Sequence, residues 1–189
     1  MILRFLSCAL TAVFISATCA EVPASANPLV STPLIAYQQA KGTVCKWKAA
    51  GIQFIVPTGW ELEINKDGEP SVSQTEGSSY YLASFALLPP DASSLSPEQQ
   101  FKAAQEGVLA SAKKDFKGFE EGKIEEFIQH GIKGRRQPFV GKVDGVETVG
   151  MIAVLSAERP ILIYIQVNAG DFSKDSRVIL ESIKKIEDK

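Results

Sequence analysis

The sequence of 189 residues is poor in the side chains that most enzymes and metal sites use, with a single histidine and three cysteines. A serine or cysteine nucleophile activated by histidine would have to use His130, and no G-x-S-x-G motif accompanies it. One histidine with so few cysteines cannot supply the usual ligand set of a zinc site. We therefore predict no catalytic residue, no cofactor-binding residue and no metal ligand, and no cofactor.

The sequence also lacks an excess of charge of either sign. Lysine and arginine number 20 and aspartate and glutamate 22, which leaves a net charge of −2. Such a chain has no general attraction for nucleic acid or anionic lipid, so no nucleic-acid partner is expected. The hydrophobic fraction of 45% and the charged fraction of 22% are typical of one ordinary soluble globular domain.

Long hydrophobic runs are absent except at the N-terminus. Arg4 precedes an apolar stretch from Phe5 to Ala17, and small residues follow. This order is typical of a secretory signal peptide, and the stretch is too short to span a bilayer as a helix. We predict a signal peptide over residues 1–20, with cleavage after Ala20 or as late as Ala26, and no transmembrane helix in the mature chain.

Cys19 offers a further possibility at the end of that signal. Bacterial lipoproteins are cut immediately before a lipidated cysteine, but Thr18 stands here where Gly or Ala is customary. Lipidation of Cys19 is therefore the minor alternative, and it is the one route to membrane anchoring that we consider. Because Cys8 and Cys19 belong to the signal, cleavage leaves Cys45 alone in the mature chain, without a disulfide partner.

The mature chain is predicted to have two parts. Residues 21–42 contain three prolines and many small residues, which is typical of an extended linker, although its apolar residues could dock on the domain. Residues 43–189 form a single domain. Its first half alternates apolar and polar residues in short runs, which predict strands over 43–48, 52–56, 60–64, 71–75 and 80–88.

A helix follows these strands. Ser96 can cap it, Pro97 suits its first position, and Gln99 can complete a capping box. Gly118 and Gly122 are expected to break the chain after this helix. Further strands are predicted over 123–130, 132–143, 146–156 and 161–168, with Asp144 and Gly145 forming a two-residue hairpin turn.

A last helix is predicted from Ser173 to Ile186. Because the strands around 146–168 are apolar on both faces, they should lie in the middle of a sheet that is covered on both sides. The predicted fold class is α+β, with a central antiparallel β-sheet flanked by helices on both faces.

Residues 51–60, Gly-Ile-Gln-Phe-Ile-Val-Pro-Thr-Gly-Trp, resemble the first hairpin of the PsbP-like superfamily, with its Pro-x-Gly-Trp turn. The meander around Asp144–Gly145 and the run Ile179-Leu180-Glu181-Ser182-Ile183 resemble later parts of such PsbP/DcrB-like domains. The resemblance covers about Thr43 to Ile186. It implies an α/β/α sandwich and a non-enzymatic module that binds or supports another protein.

Several other groups of residues are candidate sites. The basic run Lys133, Arg135 and Arg136 lacks the spacing of a phosphate-binding loop and is predicted to lie on a solvated strand edge. The acidic residues between 115 and 126 lack the spacing of a calcium loop. Five aromatic side chains could line a cleft, although packing in the core is the default expectation: Trp47, Trp60, Tyr80, Tyr81 and Tyr164.

The sequence thus predicts an exported, non-enzymatic binding or accessory protein of the bacterial cell envelope, periplasmic or secreted, whose partner is another envelope protein. Two alternatives stay open. One is an envelope hydrolase or thiol enzyme that uses Cys45 or His130, since two such residues need only meet in space. The other is a lipid-anchored surface protein attached through Cys19.

Overall fold

The computed structural model describes residues 34–39, 42–76, 79–168 and 179–186. The signal peptide, Cys19 and the first part of the predicted linker lie outside the described residues. The described strands are β1 (Leu34–Gln39), β2 (Gly42–Trp47), β3 (Ile52–Pro57), β4 (Glu61–Ile64), β5 (Pro70–Glu76), β6 (Ser79–Leu87), β7 (Lys117–Glu121), β8 (Glu125–Gln129), β9 (Ile132–Val143), β10 (Val146–Leu155), β11 (Ile161–Asn168) and β12 (Lys184–Lys185). The long helix α1 spans Pro97–Asp115, and short 3₁₀ turns span Lys48–Ala50 and Pro90–Ser94.

Eight of these strands form a large antiparallel sheet in the order β4-β5-β6-β11-β10-β9-β7, with β8 also paired to β9. The predicted hairpin between β9 and β10 is confirmed, with Val143 opposite Val146. Asp144 and Gly145 both have positive φ, 51° and 82°, as a turn that follows the twist of the strands requires.

A second sheet, β1-β2-β3-β12, packs against one face of the large sheet. The ring of Phe54 on β3 stacks on Phe85 of β6 at 4.7 Å, and Trp47 of β2 meets the same ring edge-on at 6.4 Å. The sequence predicts one central sheet, and the structure corrects this. Alternating apolar residues show that β2 and β3 bury one face, but they do not show that this face meets another sheet.

Helix α1 covers part of the opposite face of the large sheet. Ser96 caps the helix, and its side chain and that of Gln99 form the predicted capping box. Phe101, Ala104 and Ala112 are buried in a cluster with residues of β9 and β10. The alternation predicted for β10 is confirmed, because Ile152 and Val154 belong to this cluster while Met151 and Leu155 belong to the core between the sheets.

The expectation of helices on both faces is not confirmed. The face opposite α1 packs against the smaller sheet together with Ile179, Leu180 and Ile183. Residues 179–182 are helical, and the predicted helix start at Ser173 lies outside the described residues. The predicted end of this helix at Ile186 is wrong, because Lys184 and Lys185 form a strand that pairs with β3. The backbone groups of these two lysines form their hydrogen bonds with β3 rather than within a helix.

Three further features differ from the sequence prediction. Gly118 was expected to break the chain after the helix, but it lies inside β7 with φ 68°. The strand predicted over 123–130 is shorter in the structure, where β8 spans Glu125 to Gln129. Residues 34–39, predicted to be linker, pair with β2 from Leu34 opposite Trp47 to Gln39 opposite Gly42. Residues 21–33 lie outside the described residues, so the linker and the domain boundary stay predictions.

Candidate functional site

Cys45 is completely buried in β2, within the core between the two sheets. Burial raises the pKa of its thiol to about 12, because a thiolate would lose its hydration there. Its Sγ lies 4.0 Å from the carbonyl oxygen of Thr43. A thiol in this environment stays protonated at neutral pH and is inert as a nucleophile.

His130 lies in the exposed turn between β8 and β9, with φ 44°. Its Nε2 is 2.9 Å from the carbonyl oxygen of Glu181, and the amide of the neighbouring Gln129 donates to the same oxygen at 3.0 Å. The contacts of the described residues therefore do not bring Cys45 and His130 together. Within the described part of the chain, no group of three or more histidine, cysteine or acidic side chains is arranged to hold a metal ion.

The basic strand and the acidic segment that the sequence analysis treated separately are paired with each other. Arg135 on β9 contacts Glu126 on β8 and lies 3.9 Å from Glu98 of α1. Arg136 binds Glu125 through Nη2 at 2.8 Å. These pairs join an edge strand to its neighbour, and they leave the two arginines with little unbalanced charge to attract an anionic ligand.

The aromatic residues do not converge on one cleft. Trp47 and Tyr81 are buried, and Trp60 packs on Tyr81 with its ring centroid at 5.8 Å. The recess beside Trp60 and Tyr81 has room for about one water molecule. Tyr80 and Tyr164 lie on the opposite face of the large sheet, where both are half-buried.

That opposite face has an open half. The contacts of α1 with the large sheet concentrate on β7, β9 and β10, so the helix covers one end of the face more than the other. We call the remaining part, on β4, β5, β6 and β11, the open face. Its side chains are exposed or half-buried: Glu61, Glu63, Ser71, Ser73, Tyr80, Leu82, Ser84, Tyr164, Gln166 and Asn168.

The strand register aligns these residues in rows across the open face. One row runs Glu63, Ser71, Ser84 and Tyr164, and each residue is directly opposite the next on the adjacent strand. The parallel row runs Glu61, Ser73, Leu82 and Gln166.

Hydrogen bonds connect the polar side chains within and between these rows. The hydroxyls of Ser71 and Ser84 are 3.4 Å apart. The Tyr164 hydroxyl donates to Gln166 at 2.8 Å, and the Gln166 amide donates to Asn168 at 2.9 Å. The open face is therefore a polar surface held in place by the sheet, with hydroxyl and amide groups available to a partner.

The electrostatics of the open face are acidic. Burial raises the pKa of Tyr164 above its ordinary value, and the carboxylate of Asp115 raises it further. Burial likewise raises the pKa of Tyr80, and Glu63 adds to the effect. Both phenols therefore stay neutral, and neither row contains a lysine or arginine.

This surface was not predicted from the sequence. The sequence pattern identified Tyr80 and Tyr164 as aromatic candidates but could not combine them with Glu61 and Glu63, which lie far away in the chain. The available signal was the alternation in β4, where acidic residues share one face, and the small polar residues at every second position of β5. Only the strand order shows that these faces adjoin.

Comparisons with known proteins bear on the fold. No family model and no curated protein sequence matches the chain. Among solved structures, the chain is similar to LpqN of Mycobacterium tuberculosis, described as involved in cell envelope biogenesis, with a TM-score of 0.50 and 17% identity over 70% of this chain and 82% of that one. A cyanobacterial PsbP from Synechocystis sp. PCC 6803 matches with a TM-score of 0.48 and 12% identity, over 87% of this chain and 99% of that one.

At such identities the likeness concerns the fold alone. The described residues contain no helix of the length and apolar character needed to cross a membrane. The chain is therefore similar in fold to LpqN, and its sheet-dominated antiparallel architecture agrees with the antiparallel sheet that the sequence resemblance implied, whereas the implied α/β/α sandwich is not confirmed.

Proposed function

We propose that this chain is an exported, non-enzymatic binding or accessory protein of the bacterial cell envelope, periplasmic or secreted, that acts on another envelope protein. The observation that carries the proposal is the contrast between Cys45 and the open face. The thiol that an enzyme would use is buried and protonated, whereas ordered polar groups on the sheet are accessible. A surface of this kind suits binding better than bond breaking.

Two further observations support the location. The N-terminal residues have the charge and apolar pattern of a secretory signal. LpqN, which has a similar fold, is described as a protein of cell envelope biogenesis.

The location is tested by the intact mass of the protein purified from its native envelope, with fractionation into soluble and membrane material. We expect a mature chain that begins at Glu21 or Asn27, in the soluble fraction. A diacylglyceryl group on Cys19 in the membrane fraction would instead establish the lipid-anchored alternative. A chain that retains Met1 in the cytoplasm would contradict export.

The absence of catalysis is tested with the same protein on peptide, ester and thioester substrates. We expect no turnover above that of the heat-denatured protein. Turnover that is lost in both Cys45→Ala and His130→Ala, with each variant still folded by circular dichroism, would overturn the proposal in favour of a thiol enzyme. Retention of turnover in both variants would show an enzyme with a different site.

A further inference from the structure

We propose that the open face is the docking surface for a cationic segment of a partner protein, a stretch that carries lysine or arginine side chains. This inference rests on the proposed binding function and specifies the place and chemistry of the contact. Every residue of the two rows is at least partly exposed, although all of them lie on a regular sheet. The side chains of both rows are therefore accessible to a partner.

Charge selects the class of partner. Glu61 and Glu63 lie side by side on β4, and Asp115 lies at the end of α1, close enough to Tyr164 to raise its pKa. Among the described residues, none of these three carboxylates forms an ion pair with a lysine or arginine. Other acidic residues of the chain, such as Glu125 and Glu126, do have arginine partners. The open face and the adjoining end of α1 thus present three carboxylates that no ion pair among the described residues neutralises.

The flank of α1 leaves space for a chain. Ala103, Gly107 and Ser111 follow one another at helical spacing on one side of α1. The opposite side is engaged by the sheet, since Gln105 bonds to Gln137 of β9 and Lys113 to Glu121 of β7. The flank of small residues therefore does not take part in these contacts with β7 and β9, and Ala103 on it is exposed. A Cβ added at Gly107 would meet no atom within 4 Å, so this side of the helix is uncrowded.

The same charges disfavour other occupants. Nucleic acid and anionic lipid would be repelled by three carboxylates. The upstream segment 21–33 of this chain contains no basic residue. Residues 169–178 contain Lys174 and Arg177 but also two aspartates, which gives them no net positive charge. A basic segment of another protein complements the surface, with hydrogen bonds to Ser84, Tyr164 and Gln166 to add to the ion pairs.

Binding can be measured with the full mature chain and a short peptide of repeated Lys-Ser-Val units, with repeated Glu-Ser-Val units as the comparison. We expect the basic peptide to bind with an affinity that falls with salt, and the acidic peptide not to bind. Combining Glu61→Gln, Glu63→Gln and Asp115→Asn should weaken binding about 3- to 100-fold, since each exposed ion pair contributes a factor of about 1.4 to 5 and three such factors multiply.

The matched control combines Glu120→Gln, Glu147→Gln and Asp144→Asn, which likewise removes three exposed carboxylates, here from β7, β10 and the turn before β10, outside the open face. We expect this control variant to change the affinity for the basic peptide by less than about 2-fold, which is about the smallest difference that the comparison resolves. Equal effects of the two sets of substitutions, or equal binding of the two peptides, would overturn the proposal. If instead Lys174→Gln with Arg177→Gln strengthens peptide binding several-fold, the chain's own segment occupies the face, and the docking of a partner there is overturned.

Crosslinking in the native envelope connects this test to the physiological partner. A photoreactive p-benzoylphenylalanine replaces Leu82 on the open face or, as a control, Val140 on β9. We expect a crosslink from position 82 to a lysine- or arginine-containing segment, identified by mass spectrometry and lost in the triple variant. A partner captured only from position 140 would overturn the open face as the docking site but keep the accessory function. No partner at either position, with turnover in the substrate assays, would refute the accessory function itself.

Discussion

The ring of Phe139 lies against Gly150, the residue directly opposite it on the neighbouring strand β10. A Cβ at Gly150 would be 2.1 Å from the Cζ of Phe139, so any side chain there would displace the ring. The ring is also held by Phe116 and Phe119, each at 5.4 Å, and by Tyr164 at 5.9 Å. This glycine therefore allows the aromatic cluster beneath α1 to pack on the sheet.

Gly150→Ala is expected to lower the free energy of unfolding by about 1–3 kcal/mol, because overpacking must move a ring that is held on several sides. Urea denaturation followed by fluorescence and circular dichroism measures the change. Gly107→Ala is the matched control, since its Cβ meets nothing within 4 Å and alanine favours a helix, so that variant should be more stable by up to about 1 kcal/mol. Equal stability of the Gly150→Ala variant and the parent would contradict the packing described here.

Cys45 should be unreactive in the folded protein. Because the thiol is buried and its pKa is raised, we expect no reaction with a thiol reagent at pH 8 until urea unfolds the chain. The measurement is the rate of labelling as a function of urea concentration. Rapid labelling without urea would show that β2 opens readily and would revive the thiol-enzyme alternative.

The raised pKa of Cys45 also predicts a dependence of stability on pH. The folded state holds the thiol proton more tightly than the unfolded state, in which the pKa is near its ordinary value of 9.0. The stabilising contribution is therefore complete below pH 9.0 and is lost as the pH rises through 9.0 towards about 12. Relative to Cys45→Ala, the parent protein should lose stability over this range, and parallel pH curves of the two proteins would contradict the prediction.

The side chains of Gln129 and His130 both contact the carbonyl oxygen of Glu181 and thereby attach the 179–186 segment to the turn between β8 and β9. Gln129→Ala combined with His130→Ala should increase hydrogen exchange in residues 179–186 about 5- to 30-fold, as expected when about 1–2 kcal/mol of local stability is lost. His130→Asn with Gln129 retained is the control, because asparagine tolerates the positive φ at this position. Unchanged exchange in the double variant would show that the buried residues Ile179 and Ile183 hold the segment alone.

Gln137 is a buried polar residue whose amide joins three elements. Its oxygen accepts a hydrogen bond from Gln105 of α1 at 2.6 Å, and its nitrogen donates to the carbonyl of Gly122 at 2.9 Å and to Glu121 at 3.3 Å. Gln137→Leu should cost about 0.5–1.5 kcal/mol, because the hydrogen bonds of its amide are lost while its half-buried or exposed partners can bind water instead. Gln105→Leu should cost less, since Gln137 keeps its other bonds, and a non-additive double variant would confirm the coupling.

Local signals in the sequence were sufficient for the features that depend on neighbouring residues. The capping box of Ser96 and Gln99 and the turn at Asp144–Gly145 were predicted correctly, because each is a short-range hydrogen-bond or backbone requirement. The strand alternation of β10 and β11 was also predicted correctly, because the period of side chains along a strand is independent of what covers it.

Residue order and composition are therefore sufficient for the local structure, the scarcity of catalytic side chains and the pattern of an export signal. Tertiary structure alone decided that β2 and β3 form a separate sheet and that Arg135 and Arg136 are paired with glutamates. It also decided that Cys45 and His130 do not meet, and that Glu63 shares a row with Tyr164. These relationships join residues distant in the chain, and the burial of alternate faces is compatible with more than one strand order, so the choice is made by packing across the whole core.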